Sequence, residues 1–154
     1  MKREIITTAD GSKTIQIKDW EEQYHSKHGA LQEAYHVFIK NGLELFNDTK
    51  LNILEIGFGT GLNALITLKE SKRLKLDIGY TGVEAYPISK IEHQQLDYIS
   101  TLKTKSLKNK FDLMHESPWE QEVFIANNFK LKKEKRDFKE VDSKNAFDLI
   151  YFDA

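Results

Sequence analysis

The stretch at 51–63, Leu-Asn-Ile-Leu-Glu-Ile-Gly-Phe-Gly-Thr-Gly-Leu-Asn, gathers the residue types in this chain best suited to chemistry. Ile53, Leu54 and Ile56 are branched and apolar and read as a buried strand that stops at glycine. Gly57, Gly59 and Gly61 follow at alternate positions, and Leu62, Ala64, Leu65, Ile66 and Leu68 then recur at helical spacing. The reading is strand, glycine turn, helix. Such a turn lets a ligand approach the main chain, and the N–H groups at the helix start offer donors to an electron-rich group.

Two patterns fit the turn. A dinucleotide fingerprint, G-x-G-x-x-G/A, can be laid on Gly59, Gly61 and Ala64, but it places the strand end too late and leaves Glu55 without a role. Read from Glu55, the pattern is E-x-G-x-G-x-G, which resembles the first motif of class I S-adenosylmethionine-dependent methyltransferases. In that family the acid complements the ammonium at the amino-acid end of the cofactor. A second strand, 77–83, ends at Glu84, where a carboxylate can take both hydroxyls of a ribose. NAD would use the same acid, so Glu84 supports an adenosine ligand without choosing the cofactor. A last strand, 148–152, reaches Asp153, which should face the same crevice and is the best catalytic candidate.

The elements that must position these residues fit one domain. The chain has 154 residues, 40% of them hydrophobic and 31% charged, which is enough to bury a core. Lys+Arg 23 against Asp+Glu 24 gives a net charge of -1, so any RNA contact must come from a local patch. There is no cysteine, which excludes disulfides and thiolate-ligated zinc, and no apolar run approaches the roughly 20 residues of a membrane span. A cytoplasmic location is the expectation, with neither signal peptide nor membrane contact.

Residues 4–17 read as a β-hairpin with a type I′ turn at Asp10-Gly11, packing on the main body within 1–19. Trp20, Tyr24, His25 and His28 fall in a loop, where hydrogen-bonded histidines are favoured over a metal pair. Residues 30–46 predict a helix interrupted near Gly42, with Glu33 complementing its dipole. Pro87 is placed at the opening of the next helix, with Ile88, Ile91, Leu96 and Ile99 on its apolar side, and 101–110 as an exposed lysine-rich connection. Pro118 is read as another helix start ahead of Trp119, Val123, Phe124 and Ala126. The alternation from Phe129 predicts a half-exposed edge strand ending at Asp137-Phe138.

Taken together, these segments resemble the tRNA 5-aminomethyl-(2-thio)uridine methyltransferases, the MnmC-like or MnmD group. The resemblance rests on Asp10-Gly11-Ser12-Lys13-Thr14, Tyr24-His25-Ser26, Gly29 to Glu33, His36 to Ile39, Glu55 to Asn63, Val83-Glu84, Pro118-Trp119-Glu120 and Phe152-Asp153-Ala154. It implies a Rossmann-like α/β class I methyltransferase sheet with helices on both faces. It further implies S-adenosylmethionine as cofactor, the wobble uridine of tRNA as substrate, and methyl transfer to the amine of its 5-aminomethyl group.

Carried over residue by residue, Glu55, Gly57, Phe58, Gly59, Thr60, Gly61 and Asn63 would line the methionine and ribose, Glu84 the ribose, and Asp137 with Phe138 the adenine. Asp153 matches the family's active-site acid, and Glu33 approaches the site. Family members continue beyond this aspartate, so the chain is expected to form one C-terminally incomplete methyltransferase domain over 1–154. Its last strand would be an apolar edge suited to self-association, and the flavin oxidase domain fused in some relatives would be missing. Two alternatives remain: a class I methyltransferase with another acceptor, and a non-catalytic interaction module.

Overall fold

The computed structural model describes residues 1–19, 22–25 and 29–154. Trp20 and His28, named above as loop residues, lie outside the described residues. Strands β1 (Arg3–Thr7) and β2 (Lys13–Ile17) pair antiparallel, and the short β3 (Glu22–Gln23) joins β2, making a three-stranded sheet of the expected hairpin.

The turn differs from the type I′ expectation. Thr7 pairs with Lys13, leaving 8–12 as the loop, and of Asp10 and Gly11 only the glycine has positive φ, 82°. The Asp10 carboxylate is directed at the next helix. Its Oδ2 accepts the Gln32 N–H at 3.0 Å, while Thr8 Oγ1 and Ser12 Oγ accept the N–H groups of Ala30 and Leu31, each at 3.2 Å. The loop thus caps α1 (Ala30–Ala34), whose preceding residue is Gly29 and has no side chain to cap with. The helix continues as a π-helical stretch, Tyr35–Lys40, and breaks at Gly42 as expected.

In the main sheet, β4 (Lys50–Ile56) lies between β5 (Asp77–Val83) and a final strand at Leu149–Phe152, parallel to both. The strand β6 (Glu122–Ala126) stands where the sequence predicted a helix from Pro118. Val123, Phe124 and Ile125 are β-branched or aromatic, and that local preference prevails once β7 (Phe129–Glu134) offers a pairing partner. As a consequence β7 is not an edge: it pairs with β5 in parallel and β6 in antiparallel fashion. With Leu149–Phe152 as β8, the order is β6-β7-β5-β4-β8.

One face of this sheet carries the core. Leu51, Ile53, Ile78, Tyr80, Phe129, Leu131 and Tyr151 pack there with Leu62, Leu65, Ile66 and Leu68 of α2 (Leu62–Ser71). The connection from β5 to β7 covers the same face, as right-handed crossovers in one direction require. It contains α3 (Lys90–Gln95), α4 (Tyr98–Thr101) and α5 (Lys108–Glu116). Pro87 precedes α3 without opening it, because Ser89 and Glu92 form the capping box, and Ile91 is exposed. The stretch 101–110, expected as an open connection, holds the start of α5, whose Phe111 and Met114 are buried despite the surrounding lysines.

On the opposite face Leu54, Ile56 and Val83 are covered by Val141 and Phe147. Helices were expected on both faces; here this second face has the 3-10 turn Phe138–Glu140, and Ile150 and Phe152 of β8 are 59% and 60% exposed. No helix among the described residues is long and apolar enough to cross a membrane.

Asp10→Ala is expected to lower stability by about 1–2 kcal/mol, the usual magnitude of a lost helix cap. Burial raises the Asp10 pKa, but hydrogen bonds from Ser12, Gln32 and Thr8 outweigh it and leave the pKa lowered. The stabilisation is therefore present above the ordinary aspartate range and fades as pH falls through the lowered value. Urea midpoints at neutral and acid pH check both statements; identical midpoints at neutral pH would refute the cap.

Candidate functional site

The four parallel strands end at Ile56, Val83, Glu134 and Phe152, all on one edge of the sheet. The residues just beyond them, 57–60, 84–86, 136–138 and 153–154, line a single cavity of about 470 Å³. That volume suits a small organic ligand, and such crevices at parallel strand ends are where open α/β sheets bind them. The wall combines the carboxyl groups of Glu84, Asp137 and Asp153 with apolar surface from Ile56, Val83 and Phe138.

The turn from β4 to α2 is stitched to the end of β5. Gly57 and Phe58 donate their N–H groups to Val83 O at 2.9 and 3.0 Å. At Gly57, φ is 87° and a Cβ would lie 2.3 Å from Asp153 O, so only glycine lets the end of β8 come alongside. The Glu84 carboxylate is oriented by two N–H donors, Gly59 to Oε2 and Tyr86 to Oε1, both at 2.9 Å. The Phe58 ring turns inward and is buried against Gly82, which leaves the bend open to the cavity.

Glu55, Tyr151 and Gly82 are register partners, so Glu55 projects from the core face of the sheet, the face from which Asp153, two residues past Tyr151, also emerges. Glu55 is only 1% exposed; its Oε2 accepts from Tyr80 Oη at 2.7 Å, and among the described residues Oε1 has no donor in bonding geometry. Burial pushes its pKa well up, the Tyr80 bond opposes this, Asp153 pushes it further, and the nearby Asn63 amide eases it. Asn63 Nδ2 donates to Asp153 Oδ2 at 2.9 Å. Burial raises Asp153 to about 6 against that bond, and Glu33 adds to the rise. Two carboxyls that resist ionisation stand together beside the turn, and a ligand ammonium would reverse the shift in both.

Gly57, Phe58, Gly59, Thr60, Asn63, Glu84, Asp137, Phe138 and Asp153 are all on the cavity wall, while Glu55 and Gly61 lie behind it. Tyr24 and Tyr86 also line the cavity and carried no ligand role in the sequence reading. Tyr24 arrives from the N-terminal sheet, with Arg3 over its ring at 5.9 Å. Arg3 also donates to Tyr86 O and Pro87 O at 2.5 and 3.2 Å, latching that sheet to the loop after β5. The position of Tyr86 two residues past the strand-end acid is a signal that could have marked it; Tyr24 is brought in by tertiary packing alone. His25 is a buried, hydrogen-bonded histidine, its Nδ1 at 2.9 Å from Thr14 Oγ1.

The sheet order, the glycine turn after its inner strand and the acids at the strand ends define a Rossmann-like α/β fold of the class I methyltransferase type. The crystal structure of MNMC2 from Aquifex aeolicus superposes with a TM-score of 0.72 at 27% identity, covering 99% of this chain and 50% of that one. The tRNA 5-methylaminomethyl-2-thiouridine biosynthesis bifunctional protein MnmC of Leptospira interrogans is 36% identical over 84 residues, 49% of this chain and 13% of that protein. Its counterpart in Pseudomonas savastanoi is 36% identical over 87 residues, 51% of this chain and 13% of that protein. The matched segments thus span a small part of these curated relatives, and no protein-family profile matches. These likenesses in sequence and fold support an MnmC-like family for the chain.

Glu55→Gln is expected to raise the thermal midpoint near pH 8 and to change it little near pH 4. An acid with a raised folded pKa stabilises below its unfolded value, about 4.3, and that stability is lost as pH rises through the folded value. Gln keeps an acceptor for Tyr80 and removes the ionisation. A lower midpoint near pH 8 in melts of the unliganded chain would contradict this assignment.

Proposed function

We propose that the chain is an S-adenosylmethionine-dependent methyltransferase that acts, in the cytoplasm, on the amine of 5-aminomethyl-(2-thio)uridine at the wobble position of tRNA. The observation that carries the reading is the pairing of Glu55 and Asp153 on one side of the glycine turn, bridged by Asn63 and opening on an acid-lined cavity. The cavity fits a cationic nucleoside. The buried Glu55 carboxyl, its pKa pushed up by burial, suits an ammonium. The Glu84 carboxylate, fixed by Gly59 and Tyr86, suits ribose hydroxyls, and Asp137 beside Phe138 suits a purine edge and face. The first N–H groups of α2 suit the carboxylate.

When bound, the cofactor supplies an electrophilic methyl group. The residues of the chain supply position and proton handling. The substrate amine carries a proton near neutrality, as an aliphatic ammonium does. Asp153, half-buried and ionised above about 6, attracts it, orients it through one oxygen while Asn63 holds the other, and accepts its proton. Glu33 bears on Asp153 electrostatically and strengthens the attraction for a cation. The likeness to MnmC proteins supports tRNA as the substrate; a class I methyltransferase with another acceptor and a non-catalytic interaction module are the competing readings.

Calorimetry with S-adenosylhomocysteine separates these: binding is expected, and no heat leaves the interaction module. Asp153→Asn is expected to bind within about threefold of the parent while transfer of labelled methyl to undermodified tRNA falls by about 10²–10⁴. Transfer unaffected by that change would refute the role of Asp153, and transfer only to other amines would favour the second reading. Pairing of two chains along β8, whose partner among the described residues is β4, predicts a concentration-dependent dimer in sedimentation that Ile150→Lys weakens.

A further inference from the structure

Thr60, in the middle of the glycine turn, is held from behind on two sides. Its carbonyl faces His115 Nε2 at 2.9 Å, and its hydroxyl lies 3.1 Å from Tyr98 Oη. Neither His115 nor Tyr98 lines the cavity. A carbonyl only accepts, so Nε2 of His115 carries the proton and donates. Tyr98 Oη also lies 2.9 Å from Lys13 O. Its single proton is shared between that carbonyl and the Thr60 hydroxyl oxygen, both of which accept from it. Tyr98 is fully buried and ties the turn to β2.

The His115 ring is fixed in turn. It stacks on His93 with centroids 3.9 Å apart and meets Phe111 edge-on at 5.0 Å and Phe58 at 5.8 Å. His93 is anchored through Nε2 to Asp112 at 3.2 Å. The His115 carbonyl accepts from Lys133 Nζ at 2.8 Å, and that ammonium sits over the Trp119 ring at 4.7 Å. Burial, with His93 adding to it, depresses the His115 pKa to about 3, so the ring stays neutral and its donor stays in place. At Gly61 a Cβ would lie 2.8 Å from His115 Nε2, so that glycine is needed for the ring to reach Thr60.

We infer that His115 and Tyr98 are positioning residues for the cofactor: acting through Thr60 and the turn residues beside it, they set the path of the glycine turn and hence its affinity for the nucleoside. The inference rests on the cofactor reading above and assigns residues that touch no part of the ligand. His115→Phe keeps a ring and removes the donor, His115→Gln restores a donor, and Tyr98→Phe removes the link to β2.

With the whole chain, calorimetric titration with S-adenosylhomocysteine is expected to show affinity about tenfold weaker for His115→Phe and Tyr98→Phe, the loss of one buried hydrogen bond. His115→Gln should recover to within about threefold. Amide exchange at Gly59 and Gly61 should accelerate about tenfold in His115→Phe with β4 and β5 unchanged. Parent-like affinity and parent-like exchange in His115→Phe would overturn the clamp. If that variant fails to fold, ¹⁵N spectra of the parent decide: a neutral Nε2–H tautomer across pH 5–8 supports the clamp, and an Nδ1–H tautomer overturns it. Absence of heat with the parent overturns the cofactor reading and the affinity claim with it; heat with the parent and an indifferent His115→Phe overturns the clamp alone.

Discussion

The parallel pairing of β4 with β5 on one side and β8 on the other places three strand ends, and with β7 a fourth, at one edge of the sheet. Everything in the site follows from that constraint. Register brings Glu55 of β4 beside Tyr151 of β8, so the buried carboxyl and the strand-end Asp153 leave the sheet on the same face. Helix α2 starts just past the turn and holds Asn63 between them. The glycine at 57 is the condition for this closeness, since any larger residue would push the end of β8 away. Burial of the acids is therefore a product of the fold, and their raised pKa values follow from it.

Burying a carboxyl costs stability, and a structure holds such a group only where packing over-determines it. Here Tyr80 fixes one oxygen of Glu55, and stacked aromatic rings of Phe129 and Tyr80 fix the phenol. The remaining electrostatic deficit is local to the turn. It gives the cavity a preference for positive charge beside the turn, while Phe138, Ile56 and Val83 add apolar surface. A molecule with a cationic end and a flat aromatic end matches that distribution. The N-terminal sheet closes the remaining side by contributing Tyr24, and the cap from Thr8, Asp10 and Ser12 joins that sheet to α1.

Much of this was legible in the sequence because its signals were local. The apolar run at 53–56, the alternate glycines and the acids at Glu84 and Asp153 each sit at the end of a strand whose own composition announces it. Other features were set by partners distant in sequence. The proline at 118 argued for a helix, whereas pairing with β7 makes 122–126 a strand. Lys133 belongs to the core side of β7, where a carbonyl and an indole ring replace water around its ammonium. The Asp10-Gly11 pair looked like a hairpin turn; its function as a helix cap depends on a helix that starts near residue 30. Tyr98 and His115 gave no sequence signal, since their importance lies in reaching one threonine from two different helices.

The central claim is that the cavity receives a cationic nucleoside above acids held partly protonated by burial. Arrival of the ammonium should ionise them, so binding of S-adenosylhomocysteine should release protons. Calorimetric titrations near pH 6 in buffers of differing ionisation enthalpy measure this directly. A net release that is smaller in Glu55→Gln is the predicted result; binding accompanied by no proton exchange, or by proton uptake, would contradict the account.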